Sequence, residues 1–127
     1  MNPYETVITA IVGAFVLGAA TTIIPAVGVI GGVLQMLGLV AFVLIVIVMI
    51  GQFTGKPLMN IDPRLYLIAL LIIAAENAFM VSLLGLAVVV LGAPIGQVGV
   101  NLFLSLLVGG LFGFIALREA KQLPSWS

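Results

Sequence analysis

Long apolar stretches separated by short breaks set the rhythm of this chain, and the breaks divide it. From Thr6 to Gly55 no residue is charged. A helix needs about 20 apolar residues to cross the hydrocarbon core of a bilayer. Fifty uncharged residues are too many for one crossing and suffice for two. Pro25, Gly28, Gly31 and Gly32 cluster near the middle of this run, and such a cluster interrupts a helix. The pattern therefore predicts helices over about 5–24 and 31–53. The polar segment 54–63 follows, with Lys56, Pro57, Asp62 and Pro63. Asp62 and Pro63 are suited to capping and starting the next helix. A second apolar run extends from Leu65 to Leu117, and its one charge is Glu76. Gly92, Pro94, Gly96 and Gly99 break it, which predicts helices over about 64–91 and 98–121. The third is long for one crossing and should tilt.

The expected fold is all-α: one transmembrane domain of four helices arranged as two helical hairpins. Composition agrees. The chain of 127 residues is 64% hydrophobic and 6% charged, whereas a soluble domain carries about 25% charged residues. The net charge is zero, so no nucleic-acid partner is expected and the natural surroundings are a lipid bilayer, cellular or viral. The start, Met1 to Glu5, has an acid and no base, unlike the positive start of a cleaved signal peptide.

Charge then orients the helices. Four crossings put the N-terminus, the 54–63 loop and the C-terminus on one side, together with Lys56, Arg64, Arg118 and Lys121, which are all the basic residues. The turns near 25–30 and 92–97 have no charge. Basic residues favour the cytoplasmic side, so N-in and C-in is expected. Tyr4, Tyr66 and Trp126 fall on the same side, as an interfacial aromatic belt requires. Both halves read as hairpin plus Pro-Gly turn, a likeness that any two apolar hairpins share and that a tandem duplication, a parallel repeat, would also give.

Small residues recur every four positions. One series is Thr6, Ala10, Ala14, Gly18 and Thr22. A second is Asn101, Ser105, Gly109 and Gly113. A shorter one is Ala74, Ala78 and Ser82. In lipid, small residues let helix backbones approach closely. Ala10, Ala14, Gly18, Ser105, Gly109 and Gly113 are thus expected at helix-packing interfaces, inside the bundle or between subunits.

Glu76 stands apart. It follows Arg64 by 12 residues, or about 18 Å along a helix, which is near mid-bilayer. A carboxylate there costs at least about 2.5–3.5 kcal/mol, and no Lys or Arg lies at its depth. Taking up a proton removes the charge. The neutral acid could then hydrogen-bond to Gln35, Asn77, Asn101, Gln97 or a backbone carbonyl. Three readings follow: a structural acid bonded across helices, a proton or cation site, or a contact with a base of another subunit. Glu76 and Ala78 lie about 160° apart around their helix. Contact on both faces implies a central helix, an oligomer or a partner subunit.

Catalytic chemistry has little material. There is no Cys and no His, which removes thiolate and imidazole nucleophiles, bases and metal ligands. Ser82, Ser105 and Thr21 are hydroxyls to which the sequence assigns no base. No enzyme, metal or cofactor is expected. Met1-Asn2-Pro3-Tyr4 resembles the start of some small multidrug-resistance transporters, which share this length and four helices. Their functional glutamate lies in the middle of the first helix, where this chain has Ala10-Ile11-Val12-Gly13-Ala14, so no residue role carries over. A mid-membrane glutamate in glycine-bearing hairpins is similar to the rotary-ATPase proteolipids. Lys56-Pro57 does not match their polar loop, and neither family is assigned. The expected function is a non-enzymatic structural or accessory membrane subunit, working through helix contacts in a homo- or hetero-oligomer. The alternative is a proton- or cation-coupled solute transporter or pore in which Glu76 titrates.

Overall fold

The computed structural model describes residues 2–56 and 59–124. These form α1 (Pro3–Ala20), a short 3-10 turn at Pro25–Val27, α2 (Gly28–Thr54), α3 (Pro63–Val89) and α4 (Ile95–Lys121). Among the described residues there is no strand. All four helices are long and apolar enough to cross a membrane.

Local chemistry sets the ends. Asn2 caps α1: its Oδ1 accepts from the Glu5 backbone N at 2.8 Å, and Pro3 takes the first helical position. Such a side-chain acceptor satisfies one of the free N–H groups at a helix start. Asp62 does the same for α3, accepting from Arg64 N at 2.8 Å ahead of Pro63. α1 stops at Ala20 rather than near position 24. Proline disfavours helical backbone in the residue before it, and Ile24 is accordingly non-helical (φ −119°, ψ 89°) ahead of Pro25. Gly55 ends α2 with φ 75°, and Gly92 follows α3 with φ 72°; both occupy the left-handed region where glycine is favoured.

The packing departs from two hairpins side by side. α3 lies at the centre and touches α1, α2 and α4. α1 also packs on α4, whereas α1 and α2 scarcely touch along their lengths although one turn joins them. The third helix has taken the place that a paired first hairpin would fill. Its buried residues therefore surround the axis: Leu67, Leu70, Ala74, Ala75, Ala78 and Phe79 among them. The two-sided contact expected of α3 is thus met within one chain, and it no longer argues for an oligomer.

Two clusters make the core. One gathers Val7, Ile45, Leu67, Leu70, Ala116 and Ala120. These come from the start of α1, the later part of α2, the start of α3 and the end of α4, so the described residues of the 54–63 loop lie at the same end of the bundle as Asn2 and Pro124. The Lys121 Nζ stands 5.4 Å from the centroid of the Tyr4 ring there. The other cluster, Ala14, Ala75, Ala78 and Phe79, with Ile30 and Leu34 against it, fills the opposite half. Tyr66 belongs to the charged end as expected but is buried in the first cluster, inside the bundle rather than in an outer belt; Trp126 lies outside the described residues. Large apolar side chains cover the exterior, including Val12, Leu39, Val40, Phe103 and Phe114. Apolar exposure this continuous exceeds what a water-facing monomer tolerates.

Candidate functional site

Each neighbour of α3 presents glycine to it. On α1, a Cβ at Gly18 would run into the Phe79 carbonyl oxygen and stand 3.0 Å from Ser82 Cβ. On α2, a Cβ at Gly31 would lie 2.7 Å from Phe79 Cε1, and one at Gly38 would meet the Glu76 carboxylate. On α4, a Cβ at Gly109 would lie 3.0 Å from Asn77 Cβ. The Phe79 and Glu76 side chains thus project into glycine gaps on α2 and Asn77 into one on α4, while Gly18 of α1 lies against the α3 backbone itself. Without a Cβ, the facing backbone approaches closely enough to gain dispersion contact, which is what holds helices together in an apolar solvent. The Ser82 hydroxyl adds a direct cross-link, donating to the Phe15 carbonyl of α1 at 2.7 Å.

Glu76 sits midway along α3, thirteen residues from either end. It is half-buried, with its carboxyl against Gly38 and the Ile73 Cδ1 beside the same glycine. Among the described residues no hydrogen-bond donor reaches it. The expected polar companions go elsewhere. Asn77 donates to the Ile73 carbonyl of its own helix at 2.8 Å. Gln35, Gln97 and Asn101 are all exposed on the outside of the bundle. The four residues grouped by sequence as a polar site (Glu76, Asn77, Gln35 and Asn101) are therefore not assembled into one. Glu76 faces α2 at Gly38. The reason is angular: Asn77 is one residue on, rotated by 100°, and so points to α4.

The small-residue stripes are brought together only in part. Ala14, Gly18 and Gly113 are buried, Ala10, Ser105 and Gly109 are half-buried, and Asn101 is exposed. Strict spacing of four drifts by 40° per step around a helix of 3.6 residues per turn. The stripes therefore wind off the contact face. Ser105, Gly109 and Gly113 line a cleft of about 390 Å³ between α1, α3 and α4, with Ala74, Ala78 and Ile11 among its other walls. Gly110 lies at this cleft, and a Cβ there would meet nothing within 4 Å. The Ala78 side of α3 looks into this cleft while Glu76 looks away from it toward α2, as their angular separation requires.

Spacing of four missed Gly31 and Gly38. They are seven apart, the spacing that keeps two residues on one face over two turns, and with Ala41 and Ile45 they form the α2 face that meets α3. A search at that interval would have found them. Among the described residues no cluster of His, Cys, Asp or Glu could hold a metal ion.

No protein-family profile matches this chain, and no curated protein or solved structure is significantly similar to it, so its own geometry must carry the functional argument.

Proposed function

We propose that this chain is a multi-pass membrane protein with both termini cytoplasmic, and that it works as a non-enzymatic subunit by docking transmembrane helices of its own kind or of a partner. The cleft among α1, α3 and α4 carries this reading. It has a small-residue wall of Ala74, Ala78, Ser105, Gly109, Gly110 and Gly113 that the chain's own large side chains leave unfilled. Small-residue surfaces are where membrane helices approach one another. The low charge and the lack of Cys and His fit a protein whose work is contact rather than chemistry.

Gly110→Leu separates assembly from folding, because its side chain would enter open space in the protomer. The wild type, extracted in lipid nanodiscs, should give particles that hold more than one 13.2 kDa chain each, and Gly110→Leu should return them to one chain with helicity unchanged. A wild type that is a single chain in native extracts as well as in pure form would remove this reading.

One observation favours a second reading, ion coupling. Glu76 lies mid-membrane on the proposed placement, with no donor or base beside it among the described residues, and intramembrane acids as a class mark proton and ion paths. Proteoliposomes would show pH-dependent flux that Glu76→Gln abolishes.

A further inference from the structure

We infer that Glu76 and Gly38 form a proton-operated latch between α3 and α2: the protonated carboxyl lets α2 close onto α3, and loss of the proton releases it. The inference rests on the membrane placement proposed above and is independent of what the molecule assembles with.

The first ground is the attachment of α2. This helix packs on α3 and on the short turn at Pro25–Val27, and makes no other extensive helix contact. The face it offers α3 is shallow: Gly31, Gly38, Ala41 and Ile45. Its two connections are suited to pivoting. One is the non-helical stretch ending at Pro25, and the other is the left-handed Gly55. α1, α3 and α4, by contrast, pack on one another and form a platform from which α2 can separate.

The second ground is what closes the seam. The Glu76 carboxyl fills the space left by the missing Gly38 side chain. No donor among the described residues reaches it, and α2 carries no charged or titratable residue from end to end. On α1 the titratable groups are Tyr4 and Glu5, the latter thirteen residues before the Gly18 that meets Phe79. On α4 they are Arg118, Glu119 and Lys121, of which Arg118 is nine residues past the Gly109 that meets Asn77. On α3 itself Arg64 and Tyr66 lie in the first turn. Among the described residues, nothing at the level of Glu76 can neutralise a carboxylate in the closed seam. A proton can, and an opened seam lets water or a cation do so instead. The cost of an unpaired carboxylate at mid-bilayer corresponds to about a 100-fold bias per proton in the ratio of closed to open α2. That is enough to move the ratio from about 10:1 to about 1:10.

The chain lacks cysteine, so spin labels can be placed without background. Leu39→Cys on α2 and Leu107→Cys on α4 are exposed positions, and they report the separation of α2 from the platform. Ile8→Cys on α1, paired with Leu107→Cys, reports the platform alone. In bilayers whose insertion is confirmed by flotation, electron–electron distances are recorded from about pH 5 to about pH 10, a range covering carboxyls shielded from water. The α2–α4 pair should hold one short distance at low pH and gain a longer one as pH rises, while the α1–α4 pair stays fixed. Glu76→Gln should keep the short distance throughout. An α2–α4 distance that ignores pH in the wild type, or that lengthens equally in Glu76→Gln, overturns the latch. Failure to float with vesicles overturns the membrane placement instead.

Discussion

Glycine has two opposite roles in this bundle, and the difference lies in what a single added methyl would meet. At Gly18 it would meet backbone, the Phe79 carbonyl oxygen, which cannot rotate away. Gly18→Ala should therefore push α1 off α3, lengthen the bond from Ser82 to Phe15, and cost about 1–3 kcal/mol as overpacking does elsewhere. At Gly13 and Gly32 the methyl would meet nothing within 4 Å. Gly13→Ala and Gly32→Ala should be neutral or stabilising by up to about 1 kcal/mol, because glycine is the weaker helix former. Unfolding in detergent, followed by loss of helical circular dichroism, distinguishes the two classes directly. Ser82→Ala in the same assay should lose about 0.6 kcal/mol, the average for a hydrogen bond between membrane helices. Residue identity alone does not separate Gly13 from Gly18. Both sit in a plausible helix of small residues, and only the neighbour across the gap decides which one is essential.

Helices are legible where a local rule stops them and ambiguous where packing chooses between them. Asp62 with Pro63 marks the start of α3 in sequence and caps it in the structure. Asp62→Ala should lower stability by about 1 kcal/mol, measured in the same unfolding assay, and fray α3 at Arg64 to Tyr66 in hydrogen exchange. The proline at position 25 likewise implies a break, and Ile24 before it is non-helical; between Ala20, where α1 ends, and Ile24 the chain continues in turn hydrogen bonds. The order of the helices around the bundle was not legible. Hydrophobic periodicity is almost flat, because the exterior faces are as apolar as the core and lipid does not demand a polar side. What did carry information was angle. Glu76, Asn77 and Ala78 follow one another at 100°, so three consecutive residues address α2, α4 and the cleft in turn. A helix that needs partners in three directions has to be central. Which neighbour each residue meets depended on glycine seven apart on α2, a spacing outside the pattern of fours.

At the scale of the whole molecule, the ends are unlike and the difference is electrostatic. Lys56, Arg64, Arg118 and Lys121 gather at the end that holds the start of α1, the end of α2, the start of α3 and the end of α4. The other end has no charge in its turns and exposes Ile23 at 82% and Val89 at 81%. α2, α3 and α4 have 27 residues each, about 40 Å of helix for a hydrocarbon core of about 30 Å. On the proposed membrane placement, the excess would be absorbed by tilt and by a basic end left in the headgroups, where Lys and Arg keep their charge in water. Drawing four bases through the bilayer during insertion is far costlier than drawing two uncharged turns through it, so the basic end should remain on the side of synthesis. Single cysteines test this without background in a chain that has none. Gln97→Cys and Asn60→Cys occupy exposed, uncharged positions at opposite ends. In intact cells an impermeant maleimide should label Gln97→Cys, and Asn60→Cys should react only after the membrane is opened. The reverse order would invert the molecule. Equal labelling of both in intact cells would mean that the ends of the bundle do not lie on opposite faces of a membrane at all, and the reading of every exposed apolar residue as lipid-facing would go with it.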